Sequence, residues 1–535
     1  MDDDGPRTVI VGGGLAALAC AVELSSRGVP VTIVERNAHL GGKMNVLREG
    51  GFSFDMGPTI ITVPEVLRGI IERSGRRPED EIDLVDLDPQ WRCFYEDGTR
   101  IDLVRDPAAF AASLDRQFPH QRPGRGYLRF LDYSRRMYRL SERVFFYRDV
   151  GSVLDVMRAT RQADPALLRD AMGMRLHSTV GATVRHMIPE PHVRQMVEHF
   201  MQYVGSSPFL APAVLSLIAS AQVDHGCWYP MGGTRQVART LERIAREQGV
   251  EVLTGVGVRR IVWRGDRAEG VELDDGRHLA ADAVVSNCDV QRTSRDLVGG
   301  ERGQAEQRRI AGRYEPACSG VVLYLGLSRR YDHLLHHGFL FSRDSEEEFE
   351  DIYERGVPAR DPTLYVAAPS RTDPSQAPPG CEALYVLAHT AHLREGHDWQ
   401  HADGSPGPMF REYRRIILDK LKRFGMEDIE RHIVVERHLT PVGIERMYNA
   451  EAGAIYGLAS HGRLVGGFKP RNRSRVLRNL YLAGGSANPG PGVPMVLMSG
   501  VTAARALGED FGLAPAADAA APAAEPVRPR ERAAV

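Results

Sequence analysis

The chain predicts an α/β fold whose parallel sheet is assembled from both ends of the sequence, and two segments carry that prediction. Residues 9–36, VIVGGGLAALACAVELSSRGVPVTIVER, read as strand, glycine turn, helix and second strand, the order of a Rossmann-like βαβ unit. Residues 479–508, NLYLAGGSANPGPGVPMVLMSGVTAARALG, read as a further strand, a glycine–proline loop and a helix. A chain that opens on a nucleotide-binding turn and returns to one at its far end encloses its remaining length between the two. The expected organisation is a discontinuous nucleotide domain (1–70, 228–295 and 465–510) around an α+β domain for substrate and membrane contact (75–227 and 296–464). Residues 514–535, low-complexity Ala/Pro/Arg, are expected to be disordered.

Each element has a local reason. Thr8–Gly12 is a continuous apolar run, as suits a parallel strand covered on both faces. The helix over 15–27 stops at Gly28, a C-cap glycine, and Val31–Glu35 completes the unit. Residues 75–225 read as mostly helical, with periodic apolar positions among arginines, as in LRFLDYSRRMYRLSERVFFY. From 228 to 290 short strands return around one helix, 234–248. Segments 315–345 and 363–392 alternate apolar and polar positions as half-buried strands do, and a helix near 408–424 follows.

Composition excludes several classes. With 535 residues, 43% of them hydrophobic and 26% charged, the chain has ample length for a multidomain globular core. A net charge of −2 and the lack of a basic tract with interleaved aromatics argue against a nucleic-acid partner. Six scattered cysteines without a C-x-x-C pair suggest neither a disulfide framework nor a zinc site, which fits a reducing cytoplasm. The N-terminus, MDDD before an apolar stretch that Glu23 interrupts, does not read as a signal peptide, and no apolar run approaches the ~18 residues of a membrane span. Only Lys43, Lys420, Lys422 and Lys469 are lysines; the remaining basic residues are arginines.

The chemistry-bearing residues cluster at the two ends. Gly12-Gly13-Gly14-Leu15-Ala16-Ala17 has the G-x-G-x-x-A form: Gly12 permits the tight turn, Gly14 a close approach to a pyrophosphate, and Ala17 close helix–strand packing. Glu35, followed by Arg36, ends the second strand where a carboxylate accepts ribose hydroxyls. Next comes Leu40-Gly41-Gly42-Lys43, in which Gly42 exposes backbone amides to a diphosphate and Lys43 offers either a counter-charge or a solvated turn cation. That extension points to FAD rather than NAD. Gly57-Pro58 makes a stiff turn that presents the Thr59 hydroxyl. In the terminal unit, Gly484 and Gly485 form a turn where backbone meets the cofactor, and Pro494 and Met495 open a helix whose positive end would face the flavin pyrimidine ring and favour hydride acceptance.

GFSFDMGPTIIT after the glycine doublet resembles the phytoene-desaturase family of FAD-dependent carotenoid desaturases and isomerases. Further matches are GYLRFLDYSRRMY (126–138), YVGSSP (203–208), GCWYPMGGTRQVARTL (226–241), SNCDV (286–290), DPSQAPPGCEALYVLAHTAHL (373–393) and NLYLAGGSANPGPGVPM (479–495). The resemblance spans residues 7–510 and is nearest to hydroxycarotenoid 3,4-desaturases. It implies an amine-oxidase/desaturase-type flavoprotein that moves hydride from a CH–CH unit of a polyene to flavin N5, with oxygen or quinone as final acceptor. It also implies a cytoplasmic protein that docks peripherally on the membrane holding its carotenoid.

By the same resemblance Val258 lies beside the adenosine. Asp155 and Arg158 match a D-x-x-R stretch, either a proton-handling pair near the polyene or a surface ion pair. His389, His392, His397 and His401 lack metal-ligand spacing, and no metal is expected. FLAPAVLSLIASAQV (209–223) is a candidate tunnel wall or membrane contact, with a core helix as the plainer reading. The chain departs from the family at Asn488, where relatives carry histidine, and at Met495, where they often carry a small residue. Three alternatives stay open: an isomerase or oxygenase of the same family, a flavin amine oxidase, and a non-catalytic carotenoid carrier. The sequence leaves the oligomeric state undetermined.

Overall fold

A computed structural model describes residues 5–152, 155, 175, 177–462 and 466–514; Arg158 and the tail beyond residue 514 lie outside the described residues. Five parallel strands form one sheet in the order Leu480–Leu482, Ala283–Ser286, Thr8–Val11, Val31–Glu35, Glu251–Thr254. The N-terminal and C-terminal strands thus share a sheet, separated only by Ala283–Ser286. Strand alternation divides the apolar residues between two covers. Ile10, Ile33, Val285 and Tyr481 pack under the helices Leu15–Ser25, Arg235–Glu247 and Val493–Asp510. On the opposite face Val9, Val11, Val34, Val284 and Leu480 pack against an antiparallel sheet of Val258–Arg264, Arg267–Leu273 and His278–Ala280. Four of the strands are covered on both faces, which is why they read as nearly continuous apolar runs; the edge strand Glu251–Thr254 is partly exposed.

A second sheet has seven strands in the order Ile433–Leu439, Ser319–Leu327, Glu382–Thr390, Leu364–Ala367, His337–Leu340, Trp91–Phe94, Arg100–Leu103. Two sequence expectations change here. Residues 84–103, read as part of a helical stretch, contain three short strands, and two of them extend this sheet. Their apolar runs are cut by Pro89 and by the Asp97-Gly98 turn before a helical period can develop. The strands of 315–345 and 363–392 are buried along their whole length rather than on one face. Val321, Leu323, Leu325, Leu364, Val366, Leu384 and Val386 meet the amphipathic helix Pro408–Arg423. Alternate residues Val322, Tyr324, Phe339, Tyr365, Tyr385 and Leu387 form an aromatic face on the other side.

The helices Leu15–Ser25 and Val493–Asp510 bring the two termini into register. At Gly500 a Cβ would stand 2.2 Å from the Ala16 carbonyl oxygen and 2.9 Å from the Ala19 Cβ, so the crossing has no room for a side chain. No helix among the described residues is long and apolar enough to cross a membrane. Gly500→Val is expected to force the helices apart and cost about 3 kcal/mol, read as a lower midpoint of thermal or urea unfolding; an unchanged midpoint contradicts the packing described.

Candidate active site

A cavity of about 610 Å³ opens between the two sheets and is lined from both ends of the chain. The glycine turn supplies Gly12, Gly13 and Gly14, the strand end Glu35 and Arg36, and the following loop Gly42 and Lys43. Gly57, Pro58 and Thr59 also border it, as do Val258, Gly484, Gly485, Pro494 and Met495. Every residue the sequence proposed for a dinucleotide therefore lies on this wall except Ala17, which is fully buried behind it. The structure does not bring Asp155 to the cavity. Its carboxylate accepts from the Ser152 hydroxyl at 2.9 Å and the Gly151 N–H at 3.1 Å, and Arg471 stands 3.9 Å away.

The geometry of this wall fits an extended dinucleotide. Gly12 and Gly42 adopt φ of +87° and +56°, the left-handed region that favours glycine. Glu35 accepts the Gly13 N–H at 2.7 Å on Oε2 and the Asn37 N–H and carboxamide at 2.7 and 2.8 Å on Oε1, so it fixes the turn and keeps one lone pair on Oε2 for a ribose hydroxyl. Two helix N-termini, at Leu15 and Val493, open onto the same space with their first N–H groups lacking intrahelical partners. Lys43 is engaged within the wall: its ammonium donates to the carbonyl of Ile455 at 2.5 Å, and burial holds it down to about 8 against the pull of Asp289.

Sequence reasoning missed the residue that joins the two loops. The Asn287 carboxamide accepts the Ala17 N–H at 3.3 Å through Oδ1 and donates to the Ala483 carbonyl at 2.9 Å through Nδ2. A Cβ on Gly14 would meet its Oδ1 at 2.5 Å, and one on Gly484 its Nδ2 at 2.7 Å. Both glycines are required by the same amide. The only signal was SNCDV, which carried resemblance but no assigned role.

The remaining wall is apolar and aromatic. Trp91, Phe339, Tyr365 and Tyr385 line it from the seven-stranded sheet, and Val214, Leu215, Leu217, Ile218 and Ala221 from the segment 209–223. That segment forms a short 3₁₀ turn and the helix Leu217–Val223 and is cavity wall over part of its length. His199 and His389 also border the cavity, and burial pushes them down to about 3 and about 4, so both are neutral. Among the described residues no cluster of His, Cys, Asp or Glu is placed to hold a metal. Asn488 is absent from the lining. Its side chain donates to the Arg148 carbonyl at 2.7 Å and to the Asn472 Oδ1 at 3.2 Å, so the asparagine braces the loop behind the wall.

Lys469 was also missed, although a lysine in an arginine-rich chain was a signal. It lines the cavity with its Nζ on the Ala459 carbonyl at 3.0 Å and the Ser460 hydroxyl at 2.8 Å, and burial pushes it down to about 7.

Two outcomes follow from these contacts. Asn287→Ala removes both bonds between the loops, at about 2 kcal/mol. Titration of apoprotein with flavin should show a Kd raised roughly thirty-fold, and an unchanged Kd contradicts the role. Lys469 has a folded value below the 10.5 of the free side chain, so the unfolded chain binds the extra proton between pH about 7 and 10.5. Stability therefore rises with pH across that window, by at most about 1.4 kcal/mol per unit, and the penalty is fully present below it. Lys469→Met should remove this increment from urea-unfolding profiles, and parallel profiles for variant and wild type contradict it.

Residues 15–508 match the model of the flavin-containing amine oxidoreductases. The 4,4′-diapolycopene oxygenase of Methylomonas sp. is 36% identical over 498 residues, covering 93% of this chain and 97% of that one. The 4,4′-diaponeurosporene oxygenase of Staphylococcus haemolyticus is 36% identical over 500 residues, covering 92% and 95%. Among solved structures, an oxidoreductase from Methanosarcina mazei shares the fold at TM-score 0.60 with 18% identity, covering 93% of this chain and 99% of that one. Putrescine oxidase shares it at 0.58 with 15% identity, covering 94% and 98%. The glycine loops, the shared sheet and this full-length kinship lead to one conclusion: the chain belongs to the flavin-containing amine oxidoreductase family, in the branch that contains carotenoid desaturases and oxygenases.

Proposed function

We propose that the protein binds FAD along the glycine-lined wall and oxidises a long acyclic carotenoid held against the aromatic wall. The single observation that carries the reading is that both walls belong to one cavity. When bound, FAD supplies a two-electron acceptor for hydride from a C–H bond beside the polyene, where conjugation spreads the positive charge left behind. The chain's own part is to orient and to exclude water. The helix N-termini and the glycine turns fix the cofactor, and the Asn287 amide holds the two loops at a set separation. Phe339 and Tyr365 face each other across strand register with ring centroids 5.0 Å apart, presenting flat apolar surface to a flat chain.

The names of the relatives favour oxygenation: hydride leaves an allylic carbon for the flavin, water adds to the resulting cation, and a proton is released as the hydroxyl forms. Simple desaturation is the second reading, supported by the FDMGPT and PGPGVPM motifs. An amine substrate suits the site less well, because the wall facing the glycine loops is a sheet of aromatic and aliphatic side chains. With no spanning helix among the described residues, access to a membrane-dissolved polyene would be peripheral.

Incubation of the FAD-loaded protein with 4,4′-diaponeurosporene in micelles tests the proposal by product mass. A product that has gained oxygen supports oxygenation, and loss of two hydrogens alone supports desaturation. An unaltered carotenoid with the flavin still oxidised after anaerobic mixing contradicts both.

A further inference from the structure

Removing hydride from a hydrocarbon leaves a proton to dispose of, whether it comes from the neighbouring carbon or from water adding to the cation. A cavity walled by Phe339, Trp91 and Leu387 has few groups that can take it. One line of buried polar side chains starts at this wall and leads away from it. Thr59 and Tyr365 line the cavity, and their hydroxyls are hydrogen-bonded to each other. The Tyr365 hydroxyl also meets His337 Nδ1 at 2.8 Å. The His337 ring lies 4.3 Å from that of His336, and His336 Nδ1 meets the hydroxyl of half-exposed Thr372 at 2.7 Å.

The two histidines share a further feature. Both Nε2 atoms are buried, and neither has a hydrogen-bond partner among the described residues. An unpaired buried polar atom is costly, and two of them in touching rings need a common explanation. Each hydroxyl can donate or accept, and one pair of tautomers accounts for both unpaired atoms. Tyr365 donating to Nδ1 places the His337 proton on Nε2, and His336 donating to Thr372 from Nδ1 leaves its Nε2 an acceptor. One unpaired nitrogen is thus a donor and its neighbour an acceptor, and a single water between them would satisfy both. Burial holds both imidazoles far below their usual range, so each is neutral and able to donate and accept at once.

We propose that Thr59, Tyr365, His337, His336 and Thr372 form a proton conduit between the cavity and solvent. The inference rests on the oxidative reading above for its direction of flow. As a proton reaches the Thr59–Tyr365 hydroxyl pair, the Tyr365 proton passes to His337 Nδ1. The proton on His337 Nε2 then crosses through the water to His336 Nε2, and that on His336 Nδ1 leaves through Thr372. One proton enters and one leaves, while the electron pair goes with the hydride. Tyr365 borders the cavity, and His336 does not; the latter is a relay residue that a change in substrate contact would leave untouched.

The test compares wild type, Tyr365→Phe and His336→Gln, each loaded with FAD, using a pH-indicator dye in weakly buffered anaerobic solution. In one arm 4,4′-diaponeurosporene reduces the flavin and proton release is timed against bleaching. In the other the flavin is photoreduced without any polyene, and proton uptake is timed instead. Both variants should retain stoichiometric FAD and show proton transfer slowed about a hundred-fold relative to wild type, with the solvent isotope effect of the wild type lost. Slowed uptake in the photoreduction arm with no bleaching by carotenoid would retain the conduit and reject the oxidative reading. Proton transfer at the wild-type rate in both variants and both arms overturns the conduit.

Discussion

A single carboxamide sets the distance between the two halves of the glycine-lined wall. Asn287 follows directly on the strand Ala283–Ser286, which lies between the N-terminal and C-terminal strands of the parallel sheet, so its side chain can reach both loops. Its acceptor faces the start of the first helix and its donor faces the carbonyl before Gly484. An aspartate would lose the donor and a leucine both bonds. Around this amide the rest becomes obligatory: glycine at 14 and 484 to make room, and glycine at 500 to let the two helices cross. The positive ends of both helices then converge on one space, which favours an anionic diphosphate and the charge that reduction adds.

The second constraint is the period of the seven-stranded sheet. Because side chains alternate, each buried strand carries two different surfaces. One is aliphatic and sealed by the helix Pro408–Arg423; the other is aromatic and faces the cavity. Sealing the first face frees the second to be a binding surface without exposing the core. The polar atoms on the aromatic face include phenols and imidazoles that burial holds neutral. Such a wall tolerates a hydrocarbon and opposes a resident charge.

The parts legible in the sequence were those with local patterns. The glycine turns, Glu35 at its strand end and the closing helix each occupy a short window, and their spacing alone leads to a nucleotide wall. The family resemblance also emerged there, and the full-length relatives support it. Less visible was anything defined by residues far apart in the chain. Asn287 bonds to a residue 270 positions away, and the Thr59–Tyr365 pair spans 306. No periodicity encodes such contacts. The strands at 91–94 and 100–103 were hidden for a different reason: they are too short for their alternation to stand out beside an arginine-rich helix, and a neighbouring sheet edge decides their form. Asp155 illustrates the converse, a motif match whose carboxylate caps its own turn away from the cavity.

All of this depends on one molecule occupying the wall that the two chain ends build together. The direct measurement is the cofactor content of the natively purified protein, released by denaturation and quantified by chromatography against protein concentration. The account predicts FAD, near one per chain, with the yellow absorbance of a bound flavin. A colourless protein that takes up no FAD, or one whose only dinucleotide is nicotinamide-based, would contradict it.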